Sequence, residues 1–196
     1  AQSDVRVRCL QRIGRRGLSS ACIEGMLAAS APVIAVMDAD LQHDETKLPV
    51  MLEEIERRQA DIVVGTRYAE GGSAGGLSVR RRRASRMATA LAGLVARQPV
   101  TDPMSGFFML RREVLAQTVH GLSGVGFKIL LDILATLRAP VQIVEVPYEF
   151  RPRAAGESKL DEAAIWDYGM LLLDKTVGRY VPVRLVSFSL IGGLGI

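Results

Sequence analysis

Hydrophobic residues along the chain fall into two kinds of segment that alternate with each other. Short continuous apolar runs are typical of strands buried in a parallel sheet, whereas longer stretches with apolar residues at helical spacing predict helices. The expected strands are Val5–Leu10, Val33–Met37, Asp61–Gly65, Gly106–Leu110 and Val141–Val146. The expected helices are Leu18–Ala29, Lys47–Arg58, Arg80–Ala96, Phe127–Leu137 and Leu160–Val177. This order predicts an α/β domain with a mostly parallel sheet flanked by helices, which would bind ligands at the carboxyl ends of its strands.

The last residues differ from the rest because charged positions disappear. From Val181 the sequence reads VPVRLVSFSLIGGLGI, and no charged residue follows Arg184. A membrane-spanning helix needs roughly 20 apolar residues, so this run is expected to be the first part of one. A buried C-terminal helix is the alternative, but the three glycines in the run disfavour it. We therefore expect a first domain over residues 1–177 and the start of a membrane domain over residues 178–196.

The composition indicates a folded domain and raises the question of a phosphorylated partner. Of the 196 residues, 48% are hydrophobic and 23% are charged, which excludes a disordered or collagen-like chain. The formal net charge is +4, and only four of the 25 basic residues are lysines. Arginine carries a planar fork of donors that suits phosphate, although codon usage could produce the same excess. Cys9 and Cys22 have no metal-binding spacing and are expected to be reduced, buried thiols.

The segment DADLQHD, residues 38–44, directly follows the strand expected at Val33–Met37. Asp38 and Asp40 are one residue apart, so both carboxylates can bind one hard divalent cation, and Gln42 can add a carbonyl oxygen. Mg²⁺ binds in this way when water and substrate phosphates complete its coordination, as with a nucleotide diphosphate. The segment is not an EF-hand, because its sixth position is histidine and its twelfth is proline. A solvated turn is the alternative, and the preceding buried strand favours the metal site.

Arginines cluster at three separate points of the chain. Arg67 follows an expected strand, four arginines open the helix Arg80–Ala96, and Arg151 and Arg153 precede the segment GESK. Cations at a helix N-terminus oppose the helix dipole, so four of them suggest an anionic ligand or surface. The alternatives are a solvated basic face and DNA binding. An aromatic content of only 5% disfavours nucleic acid, which is often bound by stacking of bases on aromatic rings.

A third motif, TDPMSGFFMLRRE, covers Thr101–Glu113. Asp102 stands before a proline, and a Ser-Gly turn leads into the expected strand, which is typical of a structured loop in an active site. Asp-Pro turns are also common in loops with a purely structural role, so these residues alone leave the function of the loop open.

Taken together, seven segments resemble the family-2 glycosyltransferases that act on polyisoprenyl phosphates, in particular the dolichol-phosphate mannose synthases and their bacterial relatives. The segments are DADLQHD, GTRY, RRRRASR, DPMSGFF, GFKILLDIL, VEVPYEF and RPRAAGESKLD. They occur in the family's order between about Val5 and Lys175, and the C-terminal run looks like the entry to a GtrA-like membrane domain. The resemblance implies the GT-A fold of nucleotide-diphospho-sugar transferases. The first nucleotide-binding strand and loop of that fold would precede Val5, so we expect the N-terminal portion to be missing from this chain.

The resemblance also implies roles for individual positions. The metal- and donor-binding positions of the family correspond to Asp38, Asp40 and Gln42. The positions that hold donor and acceptor phosphates correspond to Arg67, Arg81, Ser85, Arg153 and Lys159. The positions expected to take part in catalysis correspond to Asp38, Asp40, Asp102 and Arg153.

The implied reaction is an inverting transfer of a sugar, mannose favoured, from a nucleotide-diphosphate sugar to a polyprenyl phosphate such as dolichyl or undecaprenyl phosphate. The implied cofactor is Mg²⁺ or Mn²⁺, and the implied partners are GDP-mannose or UDP-glucose, the lipid phosphate and the membrane, with no nucleic acid. The catalytic domain is expected at the cytoplasmic face of a bacterial inner membrane, and this fragment alone is expected to be inactive. Two alternatives stay open, namely transfer to a hydroxyl acceptor with Asp102 as base, and an inert module that binds membrane surfaces.

Overall fold

The computed structural model describes residues 4–68, 92–93, 95–96, 98–124, 126–151, 169–172 and 175. The helices within these residues are α1 (Leu18–Ala28), α2 (Leu48–Arg57), α3 (Arg112–Thr118) and α4 (Ile129–Thr136), with 3₁₀ turns at Glu45–Lys47 and Val119–Gly121. The strands are β1 (Val33–Met37), β2 (Ile62–Thr66), β3 (Phe107–Arg111) and β4 (Ile143–Pro147). Four of the predicted strands and three of the predicted helices are thus confirmed to within two residues at each end.

The four strands form one mixed sheet in the order β1-β3-β2-β4. β2 and β4 pair in parallel, with Ile62 opposite Ile143, while β3 pairs antiparallel with both β1 and β2. Three strands therefore run in one direction and β3 runs against them, which confirms the α/β prediction. Because β1 and β2 point the same way, the segments that follow them emerge at the same edge of the sheet.

Apolar side chains cover both faces of the sheet, as the continuous apolar runs predict. Successive residues of a strand point to opposite faces, so Phe108 packs in one core cluster and Phe107 in the other. The first cluster includes residues of α1, α3 and α4, and the second includes Met51 and Ile55 of α2. The four-residue spacing of Met51 and Ile55 places both on the face of α2 that contacts the sheet.

Two features differ from the sequence prediction. Residues Val5–Leu10 form no strand, and their side chains are exposed, so the alternation in that segment does not mark a buried face. Helix α3 was not predicted, because its seven residues follow β3 without a turn residue between them. The thiols of Cys9 and Cys22 are both free, but Cys9 is exposed and only Cys22 is partly buried, so the expectation of two buried thiols is wrong for Cys9.

Part of the arginine excess stabilises the fold. The guanidinium of Arg111 donates to the backbone carbonyls of Ile55 and Ala60, and that of Arg112 donates to those of Ala29 and Ala31. Helix ends leave carbonyl groups without intrahelical partners, and these two side chains satisfy such groups after α2 and α1. Neither arginine is therefore available to a substrate.

Several predictions fall on parts of the chain that the structure does not describe. The helix expected at Arg80–Ala96 is described only at residues 92, 93, 95 and 96, and the helix expected at Leu160–Val177 only at residues 169–172 and 175. Residues 178–196, the expected start of a membrane domain, lie outside the described residues. Among the helices that are described, none has the length and apolar character needed to cross a membrane.

Candidate active site

Asp38 lies immediately after β1, where the backbone pairing with β3 ends. Its backbone N–H donates to the carbonyl of Gly106 at 3.0 Å. A Cβ atom at Gly106 would lie only 2.2 Å from Oδ2 of Asp38, so position 106 leaves room for the carboxylate because it carries no side chain. The Asp38 side chain is 42% exposed and can be reached by a ligand from solvent.

Asp40 and Gln42 belong to a tight turn that continues from Asp38. The backbone N–H of Gln42 donates to Oδ1 of Asp40 at 3.2 Å, and Leu41 between them has a left-handed backbone with φ of 62°. An aspartate that accepts a backbone N–H two residues ahead is typical of turns and orients the carboxylate. No group of three or more His, Cys, Asp or Glu residues converges in the described part of the chain. Asp38 and Asp40 are two carboxylates at the start of this turn, a donor set that suits Mg²⁺ or Mn²⁺ when water and phosphate oxygens supply the other ligands.

The chain after β4 returns to this turn and holds it in place. The backbone N–H of Arg151 donates to the carbonyl of Gln42 at 2.9 Å, and Nε2 of Gln42 donates to the carbonyl of Arg151 at 3.1 Å. The Arg151 guanidinium also pairs with Asp44 at 3.0 Å and with Glu45 at 2.8 Å. The sequence placed Arg151 in the same basic cluster as Arg153 but did not predict these contacts, since nothing local shows that the two segments meet.

His43 is buried beneath the turn and connects Asp38 with Tyr148. The Nδ1 atom of His43 lies 2.7 Å from the Tyr148 hydroxyl, and its Nε2 atom lies 3.8 Å from Oδ2 of Asp38. Burial raises the pKa of the Tyr148 hydroxyl, which shares a hydrogen bond with Nδ1 of His43. The rings of Phe107 and Phe150 enclose the imidazole, each with its centroid 5.5 Å away.

Arg67 and Asp102 form a bidentate ion pair at the same edge of the sheet. Nε of Arg67 lies 2.9 Å from Oδ2 of Asp102, and Nη2 lies 3.1 Å from Oδ1. Asp102 is fully buried, while the Arg67 side chain is 17% exposed. Burial alone disfavours the Arg67 charge, but the hydrogen bonds and the negative charge of Asp102 outweigh it and raise the pKa of Arg67. The second terminal nitrogen, Nη1, has no hydrogen-bond partner among the residues that the structure describes, so it can bind an anion.

The loop that carries Asp102 is attached to the end of β2. The Ser105 hydroxyl donates to the carbonyl of Gly65 at 2.7 Å and accepts the backbone N–H of Phe107 at 3.1 Å. On the other side of Asp102, the backbone N–H and the hydroxyl of Thr101 donate to Oε1 of Glu145, at 2.9 and 2.7 Å. These contacts hold TDPMSGF as a structured loop between Asp38 and Arg67.

Lys128, which precedes α4, is a component of the site that sequence reasoning missed. Its Nζ atom contacts the carbonyl of Met104, in the Asp102 loop, at 3.4 Å. Burial and the nearby charge of Arg67 lower the pKa of Lys128, while the charges of Asp38 and Asp102 act in the opposite direction. The segment GFKILLDIL was part of the family resemblance, but nothing in its spacing distinguished a site lysine from a solvated one.

The structure therefore brings together some of the predicted site residues and does not describe others. Asp38, Asp102 and Arg67 lie at one edge of the sheet, joined through the loop that contains Ser105 and Gly106. The predicted phosphate-binding positions that lie outside the described residues are Arg81, Ser85, Arg153 and Lys159.

The known proteins that are similar to this chain point to a single family. Residues 1–118 match the family Glycosyl transferase family 2. The dolichol-phosphate mannosyltransferase of Pyrococcus furiosus is 40% identical over 97% of this chain and 53% of the relative. Proteins of the same name from Saccharomyces cerevisiae and Mycosarcoma maydis are 36% and 37% identical over 96% and 92% of this chain, and over 71% and 61% of their own lengths. The chain thus spans about half to about seven-tenths of the length of these relatives.

Solved structures support the fold. The glucosyl-3-phosphoglycerate synthase of Mycobacterium tuberculosis, in complex with phosphoglyceric acid, superposes with a TM-score of 0.55 at 22% identity, covering 82% of this chain and 55% of that one. The same enzyme in complex with Mn²⁺, UDP-glucose and phosphoglyceric acid superposes with a TM-score of 0.53 at 22% identity, with the same coverage. At this identity the likeness concerns the fold, and it agrees with the GT-A architecture expected from the sequence.

Proposed function

Because this chain belongs to glycosyl transferase family 2, we propose that it is the catalytic part of an enzyme that transfers a sugar from a nucleotide-diphosphate sugar to a polyprenyl phosphate. The observation that carries the proposal is the meeting of the Asp38 carboxylate and the Arg67–Asp102 pair at one edge of the sheet. A reaction between two phosphorylated substrates requires carboxylates that hold a divalent cation. It also requires an arginine with a nitrogen that can bind an anion. Mannose is the favoured sugar because three relatives are named for its transfer.

Asp38 and Asp40 are the residues that we propose to hold the cation, with the amide oxygen of Gln42 as a further candidate ligand. A bound Mg²⁺ or Mn²⁺ would neutralise the charge that develops on the leaving nucleotide diphosphate. The protein contributes the orientation of its carboxylates: Gly106 leaves space for that of Asp38, and the turn at Leu41 directs that of Asp40. Two hydrogen bonds between Gln42 and Arg151 hold this turn against the chain that follows β4.

The acceptor in the proposed reaction needs no general base. A phosphate oxygen is already ionised at neutral pH and can attack the anomeric carbon directly, whereas a hydroxyl acceptor has to lose a proton. Asp102 is poorly suited to remove such a proton, because it is fully buried and both of its carboxylate oxygens accept hydrogen bonds from Arg67. This geometry favours transfer to a phosphate over the hydroxyl-acceptor alternative. It makes Asp102 the residue that positions Arg67 toward the substrates.

The remaining parts of the proposal rest on the family resemblance. Arg81, Ser85, Arg153 and Lys159 are proposed to hold the donor and acceptor phosphates. GDP-mannose is the favoured donor, with UDP-glucose as the alternative. Residues 178–196 are proposed to begin a membrane domain that keeps the catalytic domain at the cytoplasmic face of the membrane, where the lipid phosphate is presented.

The test is a transfer assay with membranes that contain the full protein. GDP-mannose and UDP-glucose are supplied in turn, with and without polyprenyl phosphate and with and without EDTA, and the labelled lipid product is measured. We expect product only with polyprenyl phosphate and a divalent cation, and we expect Asp40→Ala to abolish it. Glu56→Ala removes an exposed carboxylate from α2 and should leave the rate unchanged.

Other results of this assay would favour the alternatives. Near-normal turnover by Asp40→Ala would contradict the metal assignment. Lipid binding that is independent of Mg²⁺ or Mn²⁺, with no transfer from either donor, would instead favour the inert membrane-surface module.

A further inference from the structure

Lys128 is a half-buried ammonium group whose neutralisation is incomplete. Within the described part of the chain, its Nζ atom has no carboxylate within ion-pairing distance. Its contacts are a long hydrogen bond of 3.4 Å to the carbonyl of Met104 and the ring of Phe127, whose centroid lies 4.7 Å from Nζ. An ammonium group withdrawn from water without an anionic partner is costly, so a partner that binds there gains from that charge.

A second lysine shows what a structurally satisfied ammonium looks like in the same fold. Nζ of Lys175 lies 2.5 Å from Oδ1 of Asp132 and 2.9 Å from both the carbonyl of Gly121 and the hydroxyl of Thr136. Asp132 is fully buried, so this pair is an internal part of the fold. Lys128 is also half-buried, but within the described residues it lacks the corresponding partners.

The position of Lys128 relates it to the candidate active site. Met104, its hydrogen-bond partner, belongs to the loop between Asp102 and Gly106, and that loop touches Asp38 at one end and Arg67 at the other. The nearest acidic group of the loop, Asp102, has both carboxylate oxygens occupied by Arg67. The ammonium of Lys128 therefore lies beside the site, near the charges of Asp38 and Asp102 but, within the described residues, without an ion pair to either.

We infer that Lys128 binds a phosphate oxygen of a substrate in this active site, beside the Asp102 loop that Arg67 also contacts, and that it complements Arg67. The inference rests on the proposed function. Arginine offers a fork of fixed geometry, whereas the lysine ammonium acts as a compact point charge that can follow a phosphate as it moves. The phosphate is either the diphosphate of the nucleotide sugar or the headgroup of the polyprenyl phosphate.

The experiment compares Lys128→Met with the unchanged full protein in two binding assays. The donor assay is calorimetric titration with GDP in the presence of Mn²⁺. The acceptor assay is co-sedimentation with phosphatidylcholine vesicles that contain polyprenyl phosphate, against phosphatidylcholine vesicles alone. Hydrogen bonds to charged groups carry enough energy that we expect binding to weaken roughly ten-fold or more in one assay. A loss of GDP binding identifies the donor diphosphate as the ligand, and a loss of vesicle binding identifies the lipid phosphate.

Lys175→Met is the matched control, because it removes an ammonium that is already paired. It should lower the unfolding temperature and leave both binding constants unchanged. If Lys128→Met also lowers the unfolding temperature, the comparison moves to Lys128→Arg and Lys128→Gln. The arginine variant should then retain phosphate binding and the glutamine variant should lose it.

Two outcomes overturn the inference and are distinguishable from each other. If the unchanged protein binds GDP and the lipid vesicles, and the folded Lys128 variants bind both equally well, the lysine has no role in phosphate binding. If the unchanged protein binds neither GDP nor the lipid phosphate, the proposed function itself fails, and the role of Lys128 with it.

Discussion

Removing the Arg67 guanidinium tests the ion pair on which the candidate site depends. Arg67→Met keeps most of the aliphatic side chain but leaves both oxygens of the fully buried Asp102 without their partner. Loss of one member of a buried ion pair costs about 3–5 kcal/mol of the free energy of unfolding. The Arg67 side chain is 17% exposed, so water can partly replace it. We therefore expect the free energy of unfolding to fall by about 3 kcal/mol, the lower end of that range.

Thermal unfolding of the full protein measures this loss. For a domain of this size, about 3 kcal/mol corresponds to a fall of roughly 6–12 °C in the unfolding temperature. Arg6→Ala is the control, because it breaks an ion pair with Asp4 in which Arg6 is 86% and Asp4 41% exposed. Exposed pairs of this kind contribute little, so the unfolding temperature of Arg6→Ala should not change measurably.

A double variant separates the buried charge from other effects of the substitution. In the Arg67→Met background, Asp102→Asn replaces the unpaired buried carboxylate by a neutral amide. This change should restore part of the lost stability, because the uncompensated charge accounts for most of the penalty. If Arg67→Met unfolds at the temperature of Arg6→Ala, or if Asp102→Asn lowers the stability of the Arg67→Met variant further, the reasoning about this pair is refuted.

Two further substitutions test how the turn at Asp38–Gln42, the proposed metal site, is supported. Gly106→Ala forces the carboxylate of Asp38 to move, so Mn²⁺ binding measured by electron paramagnetic resonance should weaken with little loss of stability. The control is Gly25→Ala, where the added Cβ lies in open space on α1; it should leave metal binding unchanged and raise the free energy of unfolding by about 0.5–1 kcal/mol. Equal metal binding by both variants would show that the space at position 106 is unimportant. Tyr148→Phe removes the hydroxyl that His43 contacts and should lower the free energy of unfolding in urea by about 1–2 kcal/mol; an unchanged value would mean that this hydrogen bond does not stabilise the turn.

The local sequence was sufficient to predict the elements and the chemistry of the residues between them. Continuous apolar runs predicted β1 and β2, because a strand buried on both faces needs apolar residues at successive positions, and the strand-like segments at Gly106–Leu110 and Val141–Val146 predicted β3 and β4. Asp38 and Arg67 were predicted as site residues because each directly follows such a strand. The structure places both at one edge of the sheet, and the Asp102 loop lies between them. The sequence spacing of Val5–Leu10 was misleading, because alternation indicates a strand only where a sheet is present to bury one face.

By itself, the sequence determined where strands and helices form and which residues could carry metal and phosphate chemistry, since these depend on side-chain type and on neighbours within a few positions. Only the tertiary structure decided the antiparallel direction of β3, the burial of Asp102 against Arg67 and the contact of Lys128 with the Asp102 loop. The partners in the last two contacts are 35 and 24 residues apart. Pairings at such separations depend on how the sheet assembles, and on which charges the assembled core then shields from water. No local pattern encodes either of these.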